Sequence, residues 1–403
     1  MIYLDNNATT KPSEAVAQAV SIATATLFAN PSSVHRPGQE ARHAIELTRK
    51  ELAALLGVPP KELTLTSTGT ESIDLAIRGV LEANATNRGT GFQPVRPARS
   101  TTPTQLPNII TTPLEHPAVA KLLQHLARRG VVEPRLLPLD SRGMADPESL
   151  LDLLDANTIL VSVQWANNET GVIQPIERFA ELCRARSLPL HCDAVQWVGK
   201  MPMPAEGPPC DLLSFSPHKF HGPKGVGGLW VRRGVGLIPQ TIGSQELARR
   251  GGTENVAGII GAGVAAQEAA AWLADPARRA ACAARRDRFE RAILDRVPGA
   301  AINSHDSPRL WNTANIAFPT LEAEAMLMLL SERGLAASAG SACSSGSLEP
   351  SPILRAMGIP DRLAHGSIRF SLSKETTDAE IDQAIEIVVA AATQLGRSSA
   401  ASL

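Results

Sequence analysis

Residues 211–224 read DLLSFSPHKFHGPK. Leu212, Leu213 and Phe215 form a short apolar run interleaved with Ser214 and Ser216. The run breaks at Pro217 and delivers His218, Lys219 and His221 into a segment dense in Gly and Pro. That pattern predicts a buried strand ending in a turn, with a lysine just past its carboxyl end, where open α/β sheets bind ligands. A lysine that is desolvated, or set beside other cations, loses its proton readily, and the free amine condenses with an aldehyde. For this stretch alone an ordinary surface lysine is an equal explanation.

The remaining chemistry-bearing residues change that balance. His116, Asn168 and Asp193 each lie just past a predicted strand, as does the turn Gly69-Thr70 at the start of a predicted helix. Polar groups delivered to one rim form a site. They suit a pyridine aldehyde phosphate, which needs a lysine for the aldehyde and an acid for the ring nitrogen, and a helix N-terminus for the phosphate. Lys219 suits the Schiff base, Asp193 the ring nitrogen, and His116 stacking on the ring. Gly69 and Thr70 with Ser216 and His218 suit the phosphate. In 367–372, Ser367, Arg369 and Ser371 share one strand face and Ile368, Phe370 and Leu372 the other, so Arg369 offers a planar fork for a carboxylate; a surface salt bridge is the plainer alternative. Cys343 lies in 338–347, a run of Ser, Ala and Gly without large apolar side chains. That setting suggests an exposed thiolate nucleophile. Cys183, Cys192, Cys210 and Cys282 have apolar or helical surroundings and read as structural.

These residues must be carried by a large frame. The chain has 403 residues, 43% apolar and 20% charged, with a net charge of −1. Such a charge gives no footprint for nucleic acid or an anionic membrane. No apolar run approaches the length needed to cross a bilayer. Five scattered cysteines and an N-terminus without a signal-peptide pattern fit a reduced cytoplasm. Strands at 63–66, 109–112, 158–165, 188–192, 211–216 and 225–231 alternate with helices at 34–56, 71–83, 146–155 and 175–186. That alternation argues for an α/β fold with a mainly parallel, helix-flanked sheet. Residues 87–107 read as a surface insertion. The expected division is a large domain over 12–260 and a smaller α+β domain made of 1–11 and 261–403, ending in a helix with a Thr377/Glu380 capping box. Gly261-x-Gly263-x-x-Ala266 mimics a dinucleotide fingerprint, but it lies in a helical run without a preceding strand, so packing between helices explains it better.

The whole chain resembles the cysteine desulfurase family, in the class V aminotransferase branch of fold-type I pyridoxal-phosphate enzymes. The resemblance rests on Tyr3–Thr10 (YLDNNATT), Asn30-Pro31-Ser32-Ser33-Val34-His35, Thr66–Ser72, Glu115-His116, Asn167-Asn168-Glu169, His191-x-Asp193-Ala194-x-Gln196, Ser214–Lys219, Gly252-Thr253-Glu254-Asn255, Ser341-Ala342-Cys343-Ser344 and Ile368–Ser371. Thr68-Gly69-Thr70 departs from the family's usual Gly-Ala-Thr.

The resemblance implies a seven-stranded large-domain sheet, pyridoxal phosphate on Lys219, and catalytic roles for Lys219, Cys343 and His116. It implies that Asp193 binds the ring nitrogen and Gln196 the ring hydroxyl. Gly69, Thr70, Ser216 and His218 would hold the phosphate, and Thr253 would reach the phosphate of a partner subunit in a homodimer. Asn168 and Arg369 would hold the carboxylate of L-cysteine. Sulfur would pass to Cys343 as a persulfide, leaving L-alanine, and then to an acceptor such as an iron–sulfur scaffold or a tRNA-thiolation protein. No intrinsic metal is expected, although Cys343 could serve as a transient shared ligand of an iron–sulfur cluster. The segment around Cys343 resembles that of the branch with a mobile loop. An aminotransferase or selenocysteine lyase of the same branch is the nearest rival, and Cys343 argues against transamination, which needs no thiol. A silent scaffold of the same fold would have signalled itself by loss of Lys219 or Asp193.

Overall fold

The computed structural model describes residues 1–86, 106–319, 321–339 and 350–400. The expected insertion 87–107 lies outside them except for its last two residues, and so does the segment 340–349 with Cys343. Twelve strands occur among the described residues: β1 (Ile2–Tyr3), β2 (Leu63–Thr66), β3 (Asn108–Thr111), β4 (Glu133–Leu136), β5 (Thr158–Gln164), β6 (Leu190–Asp193), β7 (Leu212–Phe215), β8 (Gly227–Val231), β9 (Ala301–Ile302), β10 (Thr313–Ala317), β11 (Leu335–Ala336) and β12 (Ser367–Ser371).

Seven of them form the central sheet in the order β2-β8-β7-β6-β5-β3-β4. Strand β8 runs antiparallel to both neighbours, and the other pairings are parallel. The carboxyl ends of β2, β3, β5, β6 and β7 therefore meet at one rim. Every residue of β5, β6 and β7 is buried, as helices on both faces require.

Gly227 opens β8 at that same rim. A Cβ there would lie 2.3 Å from the carbonyl carbon and oxygen of Thr68. Backbone cannot swing aside as a side-chain tip can, so Gly227→Ala must shift the strand or the Thr68 turn. We expect it to cost on the order of 2 kcal/mol of stability and to weaken cofactor binding. Thermal denaturation and cofactor titration check this, and unchanged values in both would contradict the close approach.

The helix Arg36–Leu56 ends at Gly57, whose φ of 67° is the left-handed value that favours glycine. The helix Val256–Leu273 corrects two expectations. By length and composition it is apolar enough to cross a membrane, contrary to the view that no run is. Half of it is buried inside the fold. A Cβ on Gly261 would meet Val20 and one on Gly263 would meet Thr48, so its small residues serve close packing on the helices Glu14–Thr26 and Arg36–Leu56. Its Ile259, Ala262, Ala265 and Ala269 share one core with Val16, Ile45 and Phe215. The chain therefore leaves the first core at Asp275-Pro276, where Asp275 caps the next helix, Pro276–Arg296, and not at 260. Composition does not change at that break, which hid it.

A second core joins Phe289, Ile316, Phe370, Ile381 and Val388 to Ile2 and Leu4. Here β12-β10-β9 form an antiparallel sheet and β1 pairs with β11. The last helix, Asp378–Ala400, carries the expected capping box: Thr377 N donates to Glu380 Oε2 at 2.8 Å and Glu380 N to Thr377 Oγ1 at 3.2 Å. The helix expected over 146–155 shrinks to Leu150–Leu153. Asp146 binds Glu148 N and accepts from Ser149 Oγ, and such local turns compete with a helix.

Candidate active site

Just beyond β7, Pro217–Lys219 forms a single 3-10 turn that presents Lys219. Its Nζ donates to the carbonyls of Asn7 (2.7 Å) and Ala8 (2.8 Å). Those residues belong to the N-terminal arm, which leaves the second core at Leu4 and crosses to the rim of the central sheet. Thr10 N and Oγ1 both donate to His218 O, at 2.9 and 3.0 Å, which ties the arm to the lysine turn.

Asp193 ends β6 and is 1% exposed. Its Oδ1 accepts from Val195 N at 3.0 Å. Burial pushes its carboxyl up to about 6, against the pull of the Lys219 charge. A positive ring nitrogen beside it would draw it back to the ionised form. Gln196 follows in the same turn, and its Nε2 donates to Asn7 O at 3.0 Å. The amide nitrogen of Gln196 and the amine of Lys219 thus share one acceptor.

His116 caps the helix Pro117–Arg128. Its Nδ1 accepts from Ala118 N at 3.1 Å, which leaves the proton of the neutral ring on Nε2. Burial, helped by the Lys219 charge, lowers its pKa to about 4. A histidine pKa depressed below its ordinary value contributes stability that is present above about pH 6.5 and lost as pH falls through the folded value. We expect the His116 ring signals in an NMR titration to stay constant between about pH 5.5 and 8. A midpoint near the ordinary value would contradict its burial.

At the end of β2, Thr68 Oγ1 accepts from Glu71 N at 3.0 Å and caps the helix Gly69–Thr86. A capping role for Thr68 and a phosphate seat at the same turn are compatible, since a helix start leaves several N–H groups facing outward. A Cβ on Gly69 would lie 2.9 Å from Val195 Cγ2 and 3.4 Å from Ser216 Cβ, so Gly69 lets this turn close on the neighbouring strand ends. Arg250 braces it from outside, with Nε on Glu71 (2.8 Å) and Nη2 on Ser67 Oγ (2.7 Å). Ser216 Oγ donates to Val226 O at 3.1 Å, and His218 Nδ1 lies 3.1 Å from Thr9 Oγ1. Burial lowers the His218 pKa to about 4. Thr70 stands exposed in the first turn of that helix, and Thr253, three residues after Arg250 in the chain, is exposed.

Arg369 lies on β12 facing away from the second core, as the alternation predicted. It is 3% exposed, so the surface salt bridge is excluded. Its Nη2 pairs with Asp5 (2.6 Å) and its Nη1 with Asn168 O (3.1 Å). Its Nε is buried without an acceptor among the described residues, which leaves it free to donate to a carboxylate. Backbone bonds join Arg369 to Ser338 in both directions, at 2.7 and 3.2 Å. On the other flank of the undescribed segment, Ser351 Oγ donates to Glu169 Oε2 at 2.6 Å, next to Asn168.

The expected structural cysteines are all buried, and burial pushes the Cys183 thiol up to about 12. His191 is a structural group, held between Ser162 Oγ (2.8 Å) and Ser214 Oγ (2.9 Å). Three residues that sequence reasoning gave no role stand at the centre. Asn7 accepts from Lys219 and Gln196 on its carbonyl and from Lys200 and Asn312 on its side-chain oxygen, and its side-chain nitrogen donates to Asn168 O and Thr313 Oγ1. Lys200 is a second buried lysine. Glu115 is fully enclosed and burial pushes it up to about 8, with the Asp193 charge adding to the rise, so it is a neutral acid beside His116. Asn7 and Glu115 stood inside the motifs around Asn6-Asn7 and His116, whereas Lys200 lies four residues beyond the motif that ends at Gln196.

The donor set fits pyridoxal phosphate: an amine, a buried carboxylate, a ring that stays neutral and a glycine-bearing helix start lie on one rim. The comparisons agree. The aminotransferase class-V family model matches residues 2–93 and 98–384. A cysteine desulfurase of Nostoc sp. is 42% identical over 389 residues, 96% of this chain and 92% of that protein. The cysteine desulfurase NifS of Azotobacter vinelandii is 44% identical over 396 residues, 98% and 93% of the two chains. The solved structure of a NifS-like protein superposes with a TM-score of 0.84 at 35% identity, covering 96% of this chain and 98% of that one. The chain therefore belongs to the class-V aminotransferase family of pyridoxal-phosphate enzymes, and within it to the cysteine desulfurases.

Proposed function

We propose that the protein moves the sulfur of L-cysteine onto Cys343 and releases L-alanine. One observation carries the assignment of Cys343. Ser338, two residues before the segment 340–349 that holds Cys343, pairs with the backbone of Arg369, whose Nε is a buried donor without an acceptor among the described residues. Cys343 is five residues along the chain from Ser338, and that length spans at most roughly 17 Å. A thiol on this tether can reach a substrate whose carboxylate rests on Arg369 and Asn168.

The residues divide the work. Lys219 holds the cofactor and, once freed, moves a proton at the substrate Cα. Asp193 binds the ring nitrogen, and Gln196 donates to the ring hydroxyl. His116 covers the ring face, with its Nε2 proton available for transfer. Gly69, Thr70, Ser216 and His218 hold the phosphate. The bound cofactor supplies an electron sink. The thiolate of Cys343 attacks the substrate sulfur, a sulfur–sulfur bond forms, the carbon–sulfur bond breaks, and the carbon is reprotonated to give alanine. The net change is cysteine plus Cys343 thiol to alanine plus Cys343 persulfide. A thiol reductant or an acceptor protein of the iron–sulfur scaffold or tRNA-thiolation type then removes the outer sulfur.

A homodimer belongs to the same proposal. Thr253, three residues after the Arg250 that braces the phosphate turn, is exposed, and Ile242 and Leu247 are 80% and 66% exposed on the segment before it. That segment is held firmly: Glu246, at φ 50°, makes a two-pronged pair with Arg49 at 2.7 and 2.8 Å. A second copy covering Ile242 and Leu247 would place Thr253 at its phosphate. The test of function is product stoichiometry: with a thiol reductant, the loaded enzyme should release sulfide and alanine from L-cysteine in equal amounts. Pyruvate in place of alanine would overturn the assignment.

A further inference from the structure

Lys200 lies four residues after Gln196 and is 4% exposed. Its Nζ donates to Gln196 Oε1 at 2.5 Å and to Asn7 Oδ1 at 2.8 Å, and Trp311 Nε1 donates to its carbonyl at 2.9 Å. It lines the same small cavity of about 20 Å3 as Lys219. One acceptor links this pair to the Lys219 amine: Gln196 Nε2 and Lys219 Nζ both donate to the backbone carbonyl of Asn7, whose side chain Lys200 holds.

An amide offers oxygen on one side and nitrogen on the other, and a free side chain can present either. An amine that donates to Gln196 Oε1 fixes that choice and turns the NH2 group toward the Lys219 side. A Gln196 flipped the other way would set an acceptor against the ring hydroxyl it is meant to serve. The same amine holds the Asn7 side chain and so steadies the carbonyl on which Lys219 rests.

We propose that Lys200 is a positioning residue for the cofactor: through Gln196 and Asn7 it fixes which face of the Gln196 amide and which acceptor the Lys219 amine and the ring hydroxyl meet. The proposal rests on Lys219 and Gln196 having the roles given above. Burial, reinforced by the Lys219 and Arg369 charges, holds the Lys200 pKa well below its ordinary value, and a neutral amine still donates both bonds. The neighbouring titratable groups are Lys219, Arg369, His218, which feels the Lys200 charge, and His221 and Lys374 across the cavity.

The test compares Lys200→Met, Lys200→Gln and Gln196→Met with the parent, by titrating apo-protein with pyridoxal phosphate and following the pH midpoint of the bound-cofactor absorbance. Lys200→Met is expected to weaken cofactor affinity about tenfold, the scale of one or two lost hydrogen bonds, and to move the midpoint. Lys200→Gln, which keeps a donor, should recover part of both. The double variant Lys200→Met/Gln196→Met should lose clearly less than the sum of the two single losses, because part of the effect passes through Gln196. Unchanged affinity and midpoint in Lys200→Met, or full additivity in the double variant, would overturn the proposal. So would a fall in melting temperature alone with the midpoint unmoved. If Lys200→Met does not fold, Lys200→Gln read against Gln196→Met still decides. Borohydride trapping of the parent separates the two readings: cofactor fixed on Lys219 keeps the carrier role whatever the Lys200 variants do, and cofactor fixed on Lys200 would refute that role itself.

Discussion

Cys343→Ala is expected to lower sulfide and alanine release from L-cysteine by about 10^3-fold or more, with cofactor affinity unchanged within about twofold. The physical reason is the separation of the two tasks. The lysine, carboxylate and phosphate-turn residues lie on the rim of the central sheet, and Cys343 lies on a segment anchored at Ser338 and Ser351. Loss of the thiol removes the nucleophile that takes the sulfur and leaves the hydrogen bonds of Lys219, Gln196 and Asp193 in place. Cys343→Ser should fail equally, because a hydroxyl does not accept sulfur in this way. Assays of both products, with absorbance of the bound cofactor as the control, check the split. Parent-like turnover would move the assignment to chemistry that needs no thiol.

Lys219→Ala is expected to reduce turnover by about 10^4-fold or more, and here cofactor retention should fall as well. The two bonds from Nζ to the Asn7 and Ala8 carbonyls would be lost together with the only role in the site that needs a nucleophilic amine. Lys219→Arg should not rescue it, since a guanidinium stays charged and cannot condense with an aldehyde. The check is turnover together with borohydride trapping of the cofactor. Trapping in the variant at a level equal to the parent would show that another amine carries the cofactor.

Much of this site could be read in the chain because the fold makes it local. Strand β7 and its turn are contiguous in sequence, so an apolar run broken by Pro217 showed where Lys219 would stand. The same rule placed His116, Asp193 and Asn168, and the alternation in β12 placed Arg369 away from the second core. What escaped depends on contacts between distant parts of the chain. Asn7 joins the arm to Gln196, Lys200, Asn312 and Thr313, and no local pattern records partners that lie two or three hundred residues away. Lys200 carried no signal of its own in the sequence, and its burial depends on contacts with Asn7 and Trp311. Residues 261–273 were expected in the smaller domain, yet they pack in the first core, because their small residues suit either neighbour, and the shrunken helix near Leu150 lost to local turns at Asp146. The antiparallel course of β8 was equally silent, although the glycine at 227 permits the close approach of the Thr68 backbone.

The most direct measurement is a single turnover of L-cysteine labelled with radioactive sulfur, on enzyme loaded with pyridoxal phosphate and without reductant, followed by mapping the label in peptides. The account predicts one labelled sulfur on Cys343 for each alanine released. Label on a different cysteine, or alanine formed with no sulfur held on the protein, would contradict it.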